Sequence, residues 1–370
     1  MMIGRPVPPP RGSQPRSSRP SSVGAMGIAE PGGPLVPLRV ERRAAGPRDV
    51  LIDIEFCGLC HSDVHAGRGE WGARTLPLVP GHEIVGIVRT VGPEADDFRV
   101  GDRVGVGCLV DSCRDCEQCD AGLEQFCGAS VGTYGARNTR TGEYTQGGYA
   151  SSIVVDCAYV LRIPDGLDPA AAAPLLCAGI TTYSPMRHYG VAAGDRIGVL
   201  GLGGLGHTAV KIGAAMGADV TVFTSKESKR AAALELGAAR VVVTGDQEAM
   251  AEASDTLSLL IDTVAAPHDL GPFLATLRRD GALIQLGLPS GPMPPVDVGR
   301  LISRRLRYGG SLIGGIAETQ EMLDFCAEHG VVCDVEVVGA DALNTAWDRM
   351  VAGDVQYRFV LDAGTLRATN

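Results

Sequence analysis

The sequence predicts an α/β protein in which a β-rich domain is interrupted by a second domain built on a doubly wound parallel sheet. Three observations carry this expectation. Residues 23–160 hold short alternating apolar runs punctuated by Gly and Pro, the mark of strands and turns. From Asp168 onward, apolar strands alternate with segments of helical period, the mark of a parallel sheet covered by helices. From about Leu312 the alternation stops, and the chain closes with one helix and one strand. The expected division is 21–167 plus 315–370 for the β-rich domain and 168–314 for the insertion.

Composition bounds the function before any motif does. At 370 residues the chain is long enough for two cores. Its hydrophobic content of 45% is ordinary for a globular protein, and no apolar run reaches the length of a membrane span. A net charge of -10 with no basic stripe argues against nucleic acid as a partner. The eleven cysteines sit in a long chain without a secretory signal, which points to a reducing, cytoplasmic setting and to metal ligation.

Taken in order, residues 1–20 are rich in Pro, Arg and Ser and read as a disordered extension or a misassigned start. A targeting peptide is the sharper reading of an acid-free Arg/Ser segment, but the prolines do not suit an amphipathic helix. Residues 50–56 alternate as a half-buried strand should, and 84–91 and 103–107 are further strands. Asp168-Pro169 followed by alanines is a helix start: a capping carboxylate, then Pro at the first helical position. Beyond it, strands are expected at 196–200, 219–223, 240–243, 257–261 and 282–286, with helices at 209–216 and 228–236. The closing pair is a helix at 318–329 and a strand at 357–361.

Four stretches carry chemistry. The turn Gly201-Leu202-Gly203-Gly204-Leu205-Gly206 follows an expected strand and opens a helix. Its glycines allow a tight turn, close approach of backbone to a pyrophosphate and close helix–strand packing. The bland alternative is an ordinary Gly-rich turn. About twenty residues on, a protein for NAD usually presents an acid to the ribose. Here the strand ends in Thr224-Ser225-Lys226, with Lys229 and Arg230 behind it. A hydroxyl and cations suit a 2′-phosphate, so NADP(H) is expected over NAD(H); otherwise these residues are only a solvated helix start.

The cysteines Cys113, Cys116, Cys119 and Cys127 are spaced C-x2-C-x2-C-x7-C. Four thiolates that close suit a structural zinc with no free position, with redox disulfides as the lesser alternative. Finally, Cys60-His61-Ser62-Asp63-Val64-His65 and Gly81-His82-Glu83 bring a thiolate, an imidazole, a hydroxyl and carboxylates into one region. A catalytic zinc takes such ligands and keeps one position open. Cys57 and Cys60 also form a CxxC, so a redox pair has to be weighed. Cys177 lies at the junction of the two domains and could supply a third ligand, although a Cys in an apolar helix is more often core. Cys108 reads as an ordinary buried thiol.

Taken together, these motifs, in this order from about Val23 to the C-terminus, resemble zinc-dependent medium-chain alcohol dehydrogenases. The likeness is to the cinnamyl-alcohol-dehydrogenase branch and its bacterial NADP-dependent aldehyde reductases. The resemblance implies a GroES-like catalytic domain interrupted by a Rossmann cofactor domain. It implies that Cys60, His82 and Cys177 hold a catalytic zinc, with Glu83 beside them as a transient ligand. Asp63 would orient His82, and Ser62 and His65 would relay a proton by way of the cofactor ribose. Thr181 would pack near the nicotinamide, with the glycine turn and 224–230 holding NADP(H). Cys113, Cys116, Cys119 and Cys127 would hold a second zinc. His61 and Trp71 are expected near the substrate pocket. The implied reaction is hydride transfer between NADP(H) and a primary alcohol or aldehyde, in a homodimer paired near 301–313. A zinc-free quinone reductase of the same fold would lack the ligands, and a non-enzymatic scaffold would show damage to them; neither is seen.

Overall fold

The computed structural model describes residues 20–72, 74–289 and 291–367, so the expected N-terminal extension lies outside the described residues except for its last position. The β-rich domain is built on a seven-stranded sheet. Its spatial order is Val335–Val338, Arg358–Asp362, Asp49–Gly58, Ile84–Val91, Arg103–Val106 and Leu161–Arg162, with Ser152–Asp156 also paired to Asp49–Gly58. Asp49–Gly58 is the central strand: Val50, Ile52 and Ile54 are fully buried, and strands pair with it on both sides. The alternating pattern of 50–56 thus marks a core strand. Arg358–Asp362, the last strand of the chain, pairs antiparallel with the same strand, so the β-rich domain is completed only after the insertion ends.

The insertion carries a six-stranded parallel sheet in the order Arg240–Val243, Asp219–Thr224, Arg196–Leu200, Leu257–Asp262, Leu277–Gln285, Arg307–Gly310. The central strand Arg196–Leu200 has Ile197 and Val199 wholly buried, as a strand covered on both faces requires. The chain order reverses on either side of it. The carboxyl ends of Leu200 and Asp262 therefore flank a crevice at the topological switch point, where dinucleotides bind in this architecture.

Several expected boundaries shift. The strand expected at 282–286 begins at Leu277, and the helix expected at 209–216 begins at Gly206, immediately after the glycine turn. The segment 228–236 splits into a 3-10 turn, Glu227–Lys229, and a helix, Arg230–Glu235. The helix start at Asp168 stands: its side chain accepts from Ala171 N–H, with Pro169 in the first turn. The short turns from Pro169 to Leu176 pack back on the β-rich sheet, so Leu175 and Leu176 share one apolar core with Val85, Leu161 and the cofactor-domain residues Ile197 and Val199. That shared core fixes Cys177 between the domains.

Candidate active site

The site begins at the short helix His61–Gly67, whose N-cap is Cys60. Asp63 sits in its first turn and is fully buried. A buried carboxylate must be satisfied by donors. Asp63 accepts from Cys60 N–H at 2.9 Å, Gly81 N–H at 3.1 Å and Tyr149 OH at 3.1 Å, and its Oδ1 lies 3.2 Å from His82 Nδ1. One acid therefore ties the two halves of the Cys60–Glu83 stretch together. It also fixes Nδ1 of His82 as the donor, leaving Nε2 as the free lone pair.

Donor atoms of Cys60, His82, Glu83 and Cys177 all lie within 4.8 Å of one another. Two thiols, an imidazole and a carboxylate at that separation suit a zinc ion that keeps a position for substrate. Cys60 is drawn well below the usual thiol range, first by its bond to Cys177 and then by His82 and Arg358. That shift favours the thiolate form that a metal takes. Cys57, by contrast, is wholly buried and its thiol is pushed up by burial. Gly81 and Gly148 approach its sulfur so closely that neither could carry a Cβ without displacing it. It packs as core.

Glu83 is fully buried next to this set. Burial raises its carboxyl to about 7, against the pull of Arg358, which pairs with its Oε1. Arg358 also donates to Leu59 O at 2.9 Å. Gly58 is required here, because a Cβ on it would come within 1.9 Å of Glu83 Oε2. Neither Arg358 nor the Tyr149 contact follows from the sequence motifs, since each partner lies far along the chain.

The residues expected to handle the proton occupy the same helix. Ser62 Oγ lies 3.5 Å from Cys60 Sγ. His65 Nδ1 bonds to Glu70, and its ring stacks on Trp71 at 5.0 Å between centroids. Glu70 escapes a reading of the sequence because a lone exposed acid in a turn carries no signal. Cys108 departs from its expected role as an ordinary buried thiol. It is only half-buried, its sulfur is 3.9 Å from Leu176 O, and its thiol is lowered first by Cys177. It belongs to the wall of the site.

The glycine turn lines the expected cofactor cleft. Gly201 adopts φ +90°, and a Cβ on Gly206 would meet Gly201 O at 2.1 Å. Gly203, Gly204 and Leu202 line a groove with Lys226, Ser228, Lys229, His61 and Arg358. His61 thus lines the groove at the glycine turn. Leu205 caps the helix that follows the turn. At the end of Asp219–Thr224, Thr224 Oγ1 accepts from Lys226 N–H and Ser225 is exposed. Lys229 Nζ reaches back to Leu202 O at 2.6 Å. Arg230 turns away: its guanidinium holds Glu227 and Val241 O, so it does not line the groove as expected. Ser228 lines it instead. Thr181 donates to Cys177 O at 2.6 Å and holds the turn that presents that thiol.

The second cysteine cluster is equally close. Sulfurs of Cys113 and Cys119 are 3.9 Å apart, Cys116 and Cys119 3.6 Å, and Cys127 and Cys113 3.5 Å. Four sulfurs each ~2.3 Å from a zinc ion would stand about 3.8 Å apart, so the lobe fits a closed tetrahedral site.

Residues 46–165 match the alcohol dehydrogenase GroES-like domain, and residues 204–328 match the zinc-binding dehydrogenase domain. An NADP-dependent alcohol dehydrogenase C of Mycolicibacterium smegmatis is 52% identical over 94% of this chain and 100% of its own length. The aldehyde reductase YahK of Escherichia coli is 50% identical over 93% of this chain and 99% of its own. The solved structure of a cinnamyl alcohol dehydrogenase from Sorghum bicolor aligns with a TM-score of 0.90 at 43% identity, over 93% of this chain and 98% of that one.

Proposed function

Because the chain belongs to the zinc-dependent medium-chain alcohol dehydrogenases, we propose that Cys60, His82 and Cys177 are the site at which it reduces aldehydes with NADPH and oxidises the corresponding primary alcohols. The observation that carries this reading is the convergence of those three donors with Glu83, whose partner Arg358 also lines the groove at the glycine turn. When bound, zinc supplies Lewis acidity to the carbonyl oxygen and NADPH supplies the hydride.

The chain's own residues do the rest. Asp63 holds His82 in the ligating tautomer. Arg358 pairs with Glu83 and holds its carboxyl group beside the ligand set. Ser62 donates a proton to the oxygen of the nascent alcohol, and His65 restores it from solvent. Glu70 fixes the His65 Nδ1 proton, so that Nε2 is the nitrogen that exchanges. Lys226, Ser228 and Ser225 receive the 2′-phosphate, and no acid on that strand end opposes it. Gly203 and Gly204 let the pyrophosphate approach backbone N–H groups.

Two zinc ions per chain are proposed, the second in the Cys113–Cys127 lobe. A homodimer is supported by the edge strand Arg307–Gly310 and the exposed Val298, Ile302, Tyr308 and Leu312 around it. A reducing, cytoplasmic setting is supported by eleven free cysteines, two clusters of which need thiolates to work. Among the described residues no helix is long and apolar enough to cross a membrane. The test is metal analysis together with NADPH-dependent reduction of a panel of aromatic, allylic and aliphatic aldehydes. Two zinc per chain and turnover of at least one class are expected; a chain with a single zinc or none, or one inert to every class, would overturn the reading.

A further inference from the structure

Beneath the four-cysteine lobe a chain of hydroxyls runs from the β-rich core to one sulfur. Tyr159 OH donates to Ser112 Oγ at 2.6 Å. Arg114 N–H is aimed at the same oxygen at 3.3 Å. The third neighbour of that oxygen is Cys119 Sγ, at 3.1 Å. A serine hydroxyl has one proton to give and two lone pairs with which to accept. Both accepting positions are filled by Tyr159 and Arg114, so the remaining proton points at the sulfur. Ser112 is only 3% exposed, and water offers no competing acceptor.

The chain is anchored at its far end. Tyr159 is buried, which pushes its phenol up and keeps it a donor. The Arg114 guanidinium lies over its ring at 5.1 Å. That guanidinium is held in turn by Asp111 at 2.8 Å and by Asp156 at 3.0 Å, and Asp111 also accepts from Ser112 N–H at 2.9 Å. Cys127 and Cys113 receive backbone N–H groups, from Ala129 at 3.3 Å and Asp115 at 3.5 Å. Cys119 shares the Arg114 N–H with Ser112, and differs in also receiving a side-chain donor tied to the domain core.

We propose that Ser112 is a positioning residue for the metal of this lobe: locked by Tyr159, its hydroxyl donates to the Cys119 thiolate and slows release of the ion. The proposal rests on the reading that the lobe holds zinc. Four thiolates around one divalent ion carry more negative charge than the ion neutralises. A donor at sulfur spreads that excess and fixes the direction of the lone pair that ligates. Without it, the Cys119 side chain is free to swing away, and the ion leaves by way of that ligand.

The test uses the full-length, zinc-loaded chain and follows transfer of zinc to a colorimetric chelator. The lobe's phase is the one missing from a Cys116→Ser variant. Ser112→Ala should release the lobe zinc about tenfold faster or more, the usual cost of removing a partner from a metal ligand. Ser112→Thr, which keeps the hydroxyl, should stay near the wild-type rate, and Tyr159→Phe should show a smaller acceleration. Ser112→Ala at the wild-type rate overturns the proposal. So does equal acceleration in the Ala and Thr variants, which would mean a packing role. Should Ser112→Ala not fold, Tyr159→Phe decides: faster release supports the proposal, and an unchanged rate overturns it. A wild-type chain that lacks the lobe phase altogether overturns the lobe's zinc itself, an outcome distinct from all of these.

Discussion

At the scale of single residues, the chemistry is set by what each side chain is forced to accept or give up. Asp63 accepts from four groups and has no freedom left, and so the His82 tautomer is not left to chance. His207 shows the same logic in the opposite sense. It is fully buried in the first turn of the helix that follows the glycines, and its ring stacks on Tyr357 at 4.8 Å between centroids. Its Nδ1 lies 3.3 Å from Gly203 O, and its Nε2 has no hydrogen-bond partner among the described residues. Burial lowers the His207 pKa from 6.5 to about 3. The folded chain therefore keeps this ring neutral where the unfolded chain protonates it, and stability falls as pH drops below about 6.5. Between pH 7.5 and pH 5 the loss from this one group is about 2 kcal/mol. Urea unfolding at the two pH values should show wild type losing about that much more than His207→Phe; equal losses would contradict the assignment.

Glu70, Arg358 and Tyr149 belong to this scale too, and none of them is legible in the sequence. Each acts through one long-range or isolated contact that no local pattern announces. Cys108 is hidden for another reason: a single thiol in an apolar run looks the same whether it lines a core or a site.

At the scale of elements, the glycine turn and the strand end after it are legible because their chemistry is local. Backbone that must approach phosphate needs glycine, and a strand end without an acid leaves room for a 2′-phosphate. Direction is not legible. Lys229 and Arg230 are neighbours in sequence, yet one reaches the groove and the other turns to Glu227, because the helix Arg230–Glu235 starts between them. Ser225→Asp places a carboxylate at the strand end. It should raise KM for NADPH about tenfold or more, as a repulsion of ~1.4 kcal/mol would, while leaving KM for NADH the same or lower. Unchanged kinetics with both cofactors would remove this strand end from cofactor choice.

At the scale of the whole molecule, the interruption of one domain by another is readable from the change of period at Asp168 and its end near Leu312. Its consequence is not: the last strand, Arg358–Asp362, returns to the central strand of the first domain and carries Arg358 to Glu83. The exposed apolar group around Arg307–Gly310, the proposed pairing surface, belongs to this scale as well. Ile302, 76% exposed, is the most open of these side chains. Ile302→Lys should shift sedimentation from dimer toward monomer, and a wild-type chain that sediments as a monomer would refute the pairing.

The proposed site makes aldehyde reduction depend on Cys60 holding a metal together with His82 and Cys177. NADPH-dependent aldehyde reduction and NADPH binding, measured side by side in wild type and Cys60→Ser, put that dependence to the test. The variant should bind NADPH as wild type does and reduce no aldehyde above background. Turnover of aldehyde by the variant at the wild-type rate would show that the metal is not held through Cys60.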